Sequence, residues 1–401
     1  MKHTRRAKWL AVPIASALVL AACGSDDDDS GSDSTEAAGT EAPDSTDDMD
    51  EGEGVSLAGI CPETVVIQTD WNPEAEHGWL YEMIGENPDI DAGSGAVTGP
   101  LVTSGGAATG VDIQIRAGGP LIGFQTVTSQ MYQDDSILLG FVYTDEAIQN
   151  SVEFPTVAVM SGMEKNPQMI MWDPETYPDI ETIADIGEAG VLVRYFGGAA
   201  YMDYFTQTGI LSESQVDGSY DGTPAGFLAD QGESAQQGFG SAEPYVYQNE
   251  VADWEGKPVA YDYINDAGWE NYGESIAVRA DALEENSECL AALVPIIQQS
   301  TVDYVNDSAE TNALIIEAVD AFDNGWVYNA DVAAYAVETM RADGLLSNGP
   351  DETIGNFDLD RVNGLIELAI PVYESLGQTP KEGLTAEDVV TNQFIDESIG
   401  L

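Results

Sequence analysis

Val65-Val66-Ile67-Gln68-Thr69 is a short apolar, β-branched run; a loop follows it, and a helix-like stretch then extends from His77 to Ile84. A buried strand that hands over to a helix through a short loop is the unit from which helix-covered sheets are built. The same unit recurs along the chain. Val111-Asp112-Ile113-Gln114-Ile115 alternates as a strand does, and Gly118-Gly119-Pro120 opens a predicted helix through Met131. Ile137 to Val142 reads as a buried strand, with Asp145 expected to cap the helix after it, and Thr156 to Met160 is the next strand. The middle of the chain repeats the pattern: Ile180–Ile186 helical, Val191-Leu192-Val193 a strand, and Gly197-Gly198 turning into a helix from Ala199.

After Ile276-Ala277-Val278 the character changes, and Ala282–Val305, Ala309–Phe322, Asp331–Met340 and Leu359–Ser375 read as successive helices. The expected fold class is therefore α/β: a two-lobed architecture in which each lobe is a sheet flanked by helices, closed by a helical C-terminal return. Lobe one is expected at 57–160 and 270–401, and lobe two, inserted in it, at 161–269. Roughly 345 residues suffice for two domains of ordinary size.

The ends of the chain bear on its compartment. Lys2, Arg5, Arg6 and Lys8 precede an apolar run from Trp9 to Leu20. That run is too short to span about 30 Å of hydrocarbon; with its basic head it reads as a secretory signal over 1–22. Its exit, Leu20-Ala21-Ala22-Cys23-Gly24, looks like a bacterial lipobox, which implies that Cys23 is acylated and anchors the chain. The alternative is cleavage near Ala22 with Cys23 incidental. Residues 23–56 are rich in Asp, Glu, Ser, Gly and Thr and poor in apolar side chains. Such a segment cannot bury enough surface to offset its ordering entropy, so a disordered tether with a reach on the order of 30 Å is expected.

Composition narrows the partners. The chain holds 72 Asp and Glu against 12 Lys and Arg, four of which belong to the signal. Nucleic acid is excluded as a partner, because phosphate neutralisation needs clustered cations. Membrane contact is expected through the lipid anchor only. So many carboxylates resemble the surface of proteins from saline habitats, where salt screens self-repulsion. Beside Cys23 only Cys61 and Cys289 remain, and an oxidising compartment permits a Cys61–Cys289 disulfide; two buried free thiols are the alternative.

Candidate recognition residues cluster after the first strand. Thr69-Asp70-Trp71-Asn72-Pro73-Glu74-Ala75-Glu76-His77-Gly78-Trp79-Leu80-Tyr81 resembles the Asp-Trp-x-Pro-Asn-x-x-His-x-Gly-x-Tyr signature of binding proteins for pyrimidine precursors of thiamine. Those belong to a larger solute-binding family that also serves taurine, alkanesulfonates and nitrate. Glu164-Lys165-Asn166-Pro167-Gln168, Gly197-Gly198-Ala199-Ala200-Tyr201, Ala242-Glu243-Pro244-Tyr245 and Gly355-Asn356-Phe357-Asp358 follow in the family's order. The resemblance implies a type II periplasmic-binding-protein fold and a monomeric extracytoplasmic lipoprotein. It implies delivery of a small-molecule ligand to the permease and ATPase subunits of an ABC importer.

Each candidate has a plain structural alternative. Asp70, Trp71, His77 and Tyr81 flank a strand-to-helix loop where ligands of such folds approach, although both aromatics could belong to the core. Flat aromatics suit a heteroaromatic ligand. His77 is one of two histidines, the other being His3, and has no Cys or second His beside it in sequence; neither metal nor cofactor is expected on that ground. Gly197 and Gly198 could offer backbone N–H groups to a ligand or simply make a turn, and Tyr201 follows them. Glu243 could accept from ring N–H or amine groups, or sit on an exposed rim. With cations scarce, a neutral or weakly cationic nitrogen heterocycle is expected over an anion such as a sulfonate or nitrate. An enzyme is not expected: no Ser-His-Asp order, Walker loop or metal spacing appears, and the cysteine cluster of the family's pyrimidine-synthesising branch is absent. A role in presenting ligand to a membrane sensor would leave the same sequence features.

Overall fold

A computed structural model describes residues 55–401. The expected signal, the Cys23 anchor and the tether through residue 54 lie outside the described residues. Six strands form one sheet in succession: β1 (Thr64–Gln68), β2 (Asp89–Asp91), β3 (Ala96–Val102), β4 (Ala108–Arg116), β5 (Leu139–Val142) and β6 (Thr156–Met160). The chain then crosses to a second sheet of β7 (Gln168–Trp172), β8 (Val193–Arg194), β9 (Val216–Asp217), β10 (Ala235–Phe239) and β11 (Ala260–Tyr263). It returns to insert β12 (Ser275–Arg279) between β5 and β6. The first sheet runs β2-β3-β4-β1-β5-β12-β6 and the second β11-β7-β10-β8-β9. With helices flanking both, the fold is α/β and two-lobed.

Residue patterning accounts for these placements. Residues of β5 and β6 are buried throughout, as suits strands covered on both faces. β4 alternates instead, with Val111, Ile113 and Ile115 inside. β1 pairs in parallel with both β4 and β5, so their carboxyl ends open on the same edge. β12 is antiparallel to β5, with Ser275 opposite Val142. The start of β12 therefore lies beside the exit of β5, and that edge carries the candidate site.

Two local expectations are corrected. The stretch from Gly118 to Met131 is not one helix: a single tight turn, Gly119–Ile122, is separated from the helix Val127–Gln133. Gly123 and Phe124 at φ 65° and 57° make the break. Asp145 lies inside the first turn of the helix Thr144–Gln149 rather than capping it, and its carboxylate accepts from Trp269 Nε1 (3.2 Å) and Asn271 Nδ2 (2.8 Å).

The C-terminal helices Ser287–Asn306, Ala309–Phe322, Ala330–Ala342 and Leu359–Ser375 complete the structure. Cys61 and Cys289 form a disulfide, with Cα atoms 4.8 Å apart, that ties the start of the fold to the first of these helices. Arg361, from the last, reaches both connections between the sheets. Its guanidinium donates to the Glu164 carbonyl (2.8 Å) and carboxylate (3.0 Å), the Glu270 carbonyl (2.8 Å) and the Asn271 carbonyl (3.2 Å). The Tyr272 ring lies 3.8 Å from the guanidinium carbon. Asn166 and Asn271 join the two connections directly at 2.8 Å.

Candidate functional site

The loop leaving β1 turns sharply over Gly118. The Gly118 N–H donates to the Trp71 carbonyl at 2.7 Å and the Gly119 N–H to the Asp70 carbonyl at 2.8 Å. A side chain at Gly118 would meet the Thr69 carbonyl oxygen at 2.3 Å, so only glycine permits this approach. The loop then delivers Glu74, Glu76 and His77 to the edge where β5 ends and β12 begins, which supplies Tyr143 and Glu274. Glu274 holds φ at 46°, a left-handed conformation costly for a side-chain-bearing residue, and its carbonyl packs where a Cβ on Gly162 would stand 2.0 Å away.

From the second sheet, the turn after β10 contributes Ser241 and Glu243. Ser241 Oγ donates to Glu76 Oε1, a contact that joins loops of the two lobes. Glu243 opens the helix Glu243–Asn249 and accepts from the Phe239 N–H at 2.7 Å. Five carboxylates thus converge: Asp70, Glu74, Glu76 and Glu274 from one lobe and Glu243 from the other.

Their electrostatics are one-sided. Burial pushes Glu74 well above the usual carboxylate range, and the charges of Glu76, Glu274, Asp70 and Glu243 push it further. Burial and then Asp70 and Glu76 lift Glu274 in the same way. Glu76 rises to about 7 through burial, with the Ser241 hydrogen bond pulling against it; Glu243 rises to about 7 through burial. Tyr143 is raised by burial and by the surrounding acids, Asp70 first. Among the described residues no Lys or Arg enters this group. Seven of the eight in the described residues pair elsewhere, for example Arg116 with Asp134, Arg194 with Asp230 and Arg361 with Glu164, and Arg341 donates to the Val305 carbonyl.

His77 is fully buried, and neither ring nitrogen has a hydrogen-bond partner. Nε2 lies 3.4 Å from Asp70 Oδ1 and 3.9 Å from Glu74 Oε1. Asp70, His77 and Glu274 each place one donor atom within 4.8 Å of the others. In sequence His77 has neither Cys nor a second His beside it, and the expectation of no metal group counted only those; the fold supplies two carboxylates instead.

Trp71 follows Asp70 in the loop after β1, its ring 6.0 Å from those of Phe124 and Trp326. Phe124 is 70% exposed, so this aromatic group reaches solvent. The remaining candidates lie apart. Tyr81 is buried in the core and lines a surface depression with Glu82, Asp303 and Glu310, away from the carboxylates. Gly197 and Gly198 are exposed in the turn before the helix Ala200–Thr208. Tyr201 is buried on that helix with its hydroxyl unpartnered. Tyr220 connects this region to Glu243: burial raises its phenol, and Glu243 and Tyr201 both bear on it. Sequence reasoning missed Glu74, Glu76, Tyr143, Tyr220, Ser241 and Glu274. The string Glu74-Ala75-Glu76-His77 was a visible signal, whereas the partnership of Glu274 with it depends on how β12 re-enters the sheet.

No protein-family model matches the sequence, and no characterised protein matches it by sequence. Solved structures do match in fold. The periplasmic aliphatic sulphonate binding protein of Escherichia coli shares 16% identity over 80% of this chain and 90% of its own, with a TM-score of 0.50. The periplasmic sulfonate-binding protein of Methylobacillus flagellatus shares 13% identity over 82% and 92%, also with a TM-score of 0.50. The architecture is that of the periplasmic binding proteins.

Proposed function

We propose that this chain is the extracytoplasmic solute-binding component of an ABC importer, anchored through Cys23, and that it captures a small basic nitrogen compound of the pyrimidine type. Residues 57–160 and 270–401 form one lobe, 161–269 the other, and the ligand lies in the cleft between them. The observation that carries this reading is the convergence of Asp70, Glu74, Glu76 and Glu274 on Glu243 and Ser241 with no cation among them. Buried carboxylates left to repel one another are stabilised by a positively charged or N–H-rich partner. The aromatic mouth of Trp71, Phe124 and Trp326 offers flat faces to a heteroaromatic ring. Glu76 to Ser241 supplies a contact that exists only when the lobes meet, so a ligand that touches both lobes favours the closed form. Capture and delivery, not catalysis, is the role this arrangement supports.

The fold neighbours are named for sulfonates. Side-chain charge offers an anion no counterpart here, because each Lys and Arg of the described residues has a partner elsewhere, so an anion would have to be held by backbone N–H groups alone. Thermal unfolding of the full chain, at fixed salt and with chelator present, tests the reading against aminopyrimidines, purines, polyamines, taurine, alkanesulfonates and nitrate. A bound ligand at about 100 times its Kd adds roughly 2.7 kcal/mol. Stabilisation by the nitrogen bases, weakened in Trp71→Ala and Glu243→Gln, is expected; stabilisation by sulfonate or nitrate alone would overturn it.

A further inference from the structure

We propose that Asp70, His77 and Glu274 form a binding site for one divalent transition-metal ion at the floor of the cleft. The donor set is one imidazole and two carboxylates, which suits zinc, manganese or cobalt over calcium or magnesium. Three features besides proximity point to an occupant. His77 is fully buried with both ring nitrogens unbonded, and Glu274, 2% exposed, has Oε2 unpartnered; Asp70 Oδ1 is unpartnered as well. Buried polar groups are otherwise almost always satisfied. Asp70, His77 and Glu274 thus each carry a side-chain atom with no hydrogen-bond partner, and the three residues place one ligand atom each within 4.8 Å of the others, with His77 Nε2 3.4 Å from Asp70 Oδ1. The imidazole is also held in place by packing, with the Phe141 ring edge-on at 5.1 Å and Trp79 stacked behind it at 5.3 Å.

Ligand bonds of about 2.0–2.2 Å require the three atoms to draw somewhat closer together. Asp70, whose side chain is 26% exposed, can swing to achieve this. A dication there offsets the mutual repulsion of the surrounding acids, which no Lys or Arg of the described residues does. The site stands independently of the import reading. Its further use rests on that reading: three protein ligands leave a fourth position that a ring nitrogen of the solute would fill.

The test is titration of the full chain, stripped with chelator, with Zn2+ by calorimetry and with Co2+ by visible absorption. One ion per chain is expected, with Co2+ giving d–d bands more intense than those of the aqueous ion. His77→Ala and the near-isosteric Glu274→Gln should each weaken binding on the order of 100-fold and remove those bands. Glu310→Gln, an exposed surface carboxylate, should change neither. Binding that is equal in all variants, or several ions per chain with the spectrum of the aqueous ion, would overturn the site, because the many surface carboxylates would then explain it. A second arm repeats the aminopyrimidine titration with Zn2+ or with chelator. Solute binding strengthened by Zn2+ supports coordination of the solute; solute binding indifferent to Zn2+ overturns it. Solute binding in the chelator arm with no Zn2+ site would sink the metal inference while the proposed function stands.

Discussion

Two groups of buried carboxylates in this protein are treated in opposite ways. At the connections between the lobes, Glu164 faces Arg361, whose remaining donors are taken up by three backbone carbonyls. Burial still lifts Glu164 to about 7, but the guanidinium pulls against that rise. Where the loop after β1 meets the start of β12, Glu74 and Glu274 have carboxylates and the His77 imidazole around them but no Lys or Arg of the described residues, and burial and the neighbouring acids raise both well above the ordinary range. Glu146 falls between: Thr128 Oγ1 and N–H donate to it at 2.8 and 3.2 Å, no cation is near, and burial lifts it to about 7. The chain supplies a cation to the acid group at the connections between the sheets, and none of the described Lys or Arg to the group around His77.

The strongest way to break this comparison is at the connections. Arg361→Met keeps an apolar stem against Tyr272 but removes every donor to Glu164, Glu270 and Asn271. Loss of several charge-assisted hydrogen bonds, with their acceptors left partly buried, should cost about 3 kcal/mol. Urea unfolding at pH 8 measures it, and adding Glu164→Gln should recover part of the loss if the pair is coupled. A loss below about 1 kcal/mol would mean that Arg361 is an ordinary surface residue and that the contrast has no structural half.

Glu146 sharpens the intermediate case through pH. In the unfolded chain its carboxyl loses a proton near its ordinary value of 4.5, whereas burial makes the folded protein hold that proton to about 7. The unfolded state therefore sheds its proton first as pH rises, and folded stability falls from about pH 4.5 to about pH 7, then levels off. Asp145 and Asp70 face the same group and add to the shift. Glu146→Gln, which keeps an acceptor for Thr128, should flatten that decline by about 2 kcal/mol between pH 5 and pH 8. Parallel curves for the variant and the parent would show that Glu146 titrates normally.

How much of this was legible in the sequence follows from what each feature depends on. Strands of β-branched residues, such as Thr156–Met160, were readable because local pattern and burial agree. β3 (Ala-Val-Thr-Gly-Pro-Leu-Val) was hidden by Gly99 and Pro100 inside it, and β7 (Gln-Met-Ile-Met-Trp) by its methionines. The helices Ala309–Phe322 and Leu359–Ser375 carried a clear period of their own. At the site, Asp70, Trp71 and His77 share one loop and could be picked out together. Glu274 lies about 200 residues further on and joins them only because β12 runs antiparallel beside β5, a long-range pairing that no local pattern announces. Tyr81 belongs to the same sequence motif, and the short helix Gly78–Tyr81 buries it in the core, the structural alternative that the motif left open.

The smallest predicted effect is the one most diagnostic of the cleft floor. Glu74 accepts no hydrogen bond that caps the turn it precedes, and its nearest charged neighbours are carboxylates. Glu74→Gln removes one member of a repelling group and leaves a similar volume behind. In the absence of any ligand it should therefore stabilise the fold, by about 1 kcal/mol at pH 8, where a buried polar substitution ordinarily destabilises. The same variant should bind a cationic solute or Zn2+ more weakly, since it removes charge that attracts either. Stability and binding moving in opposite directions is the signature of a site held ready for a positive partner. If Glu74→Gln instead costs as much as Arg361→Met, the carboxylates of the cleft are a satisfied structural network, and the two regions of the molecule obey one rule instead of two.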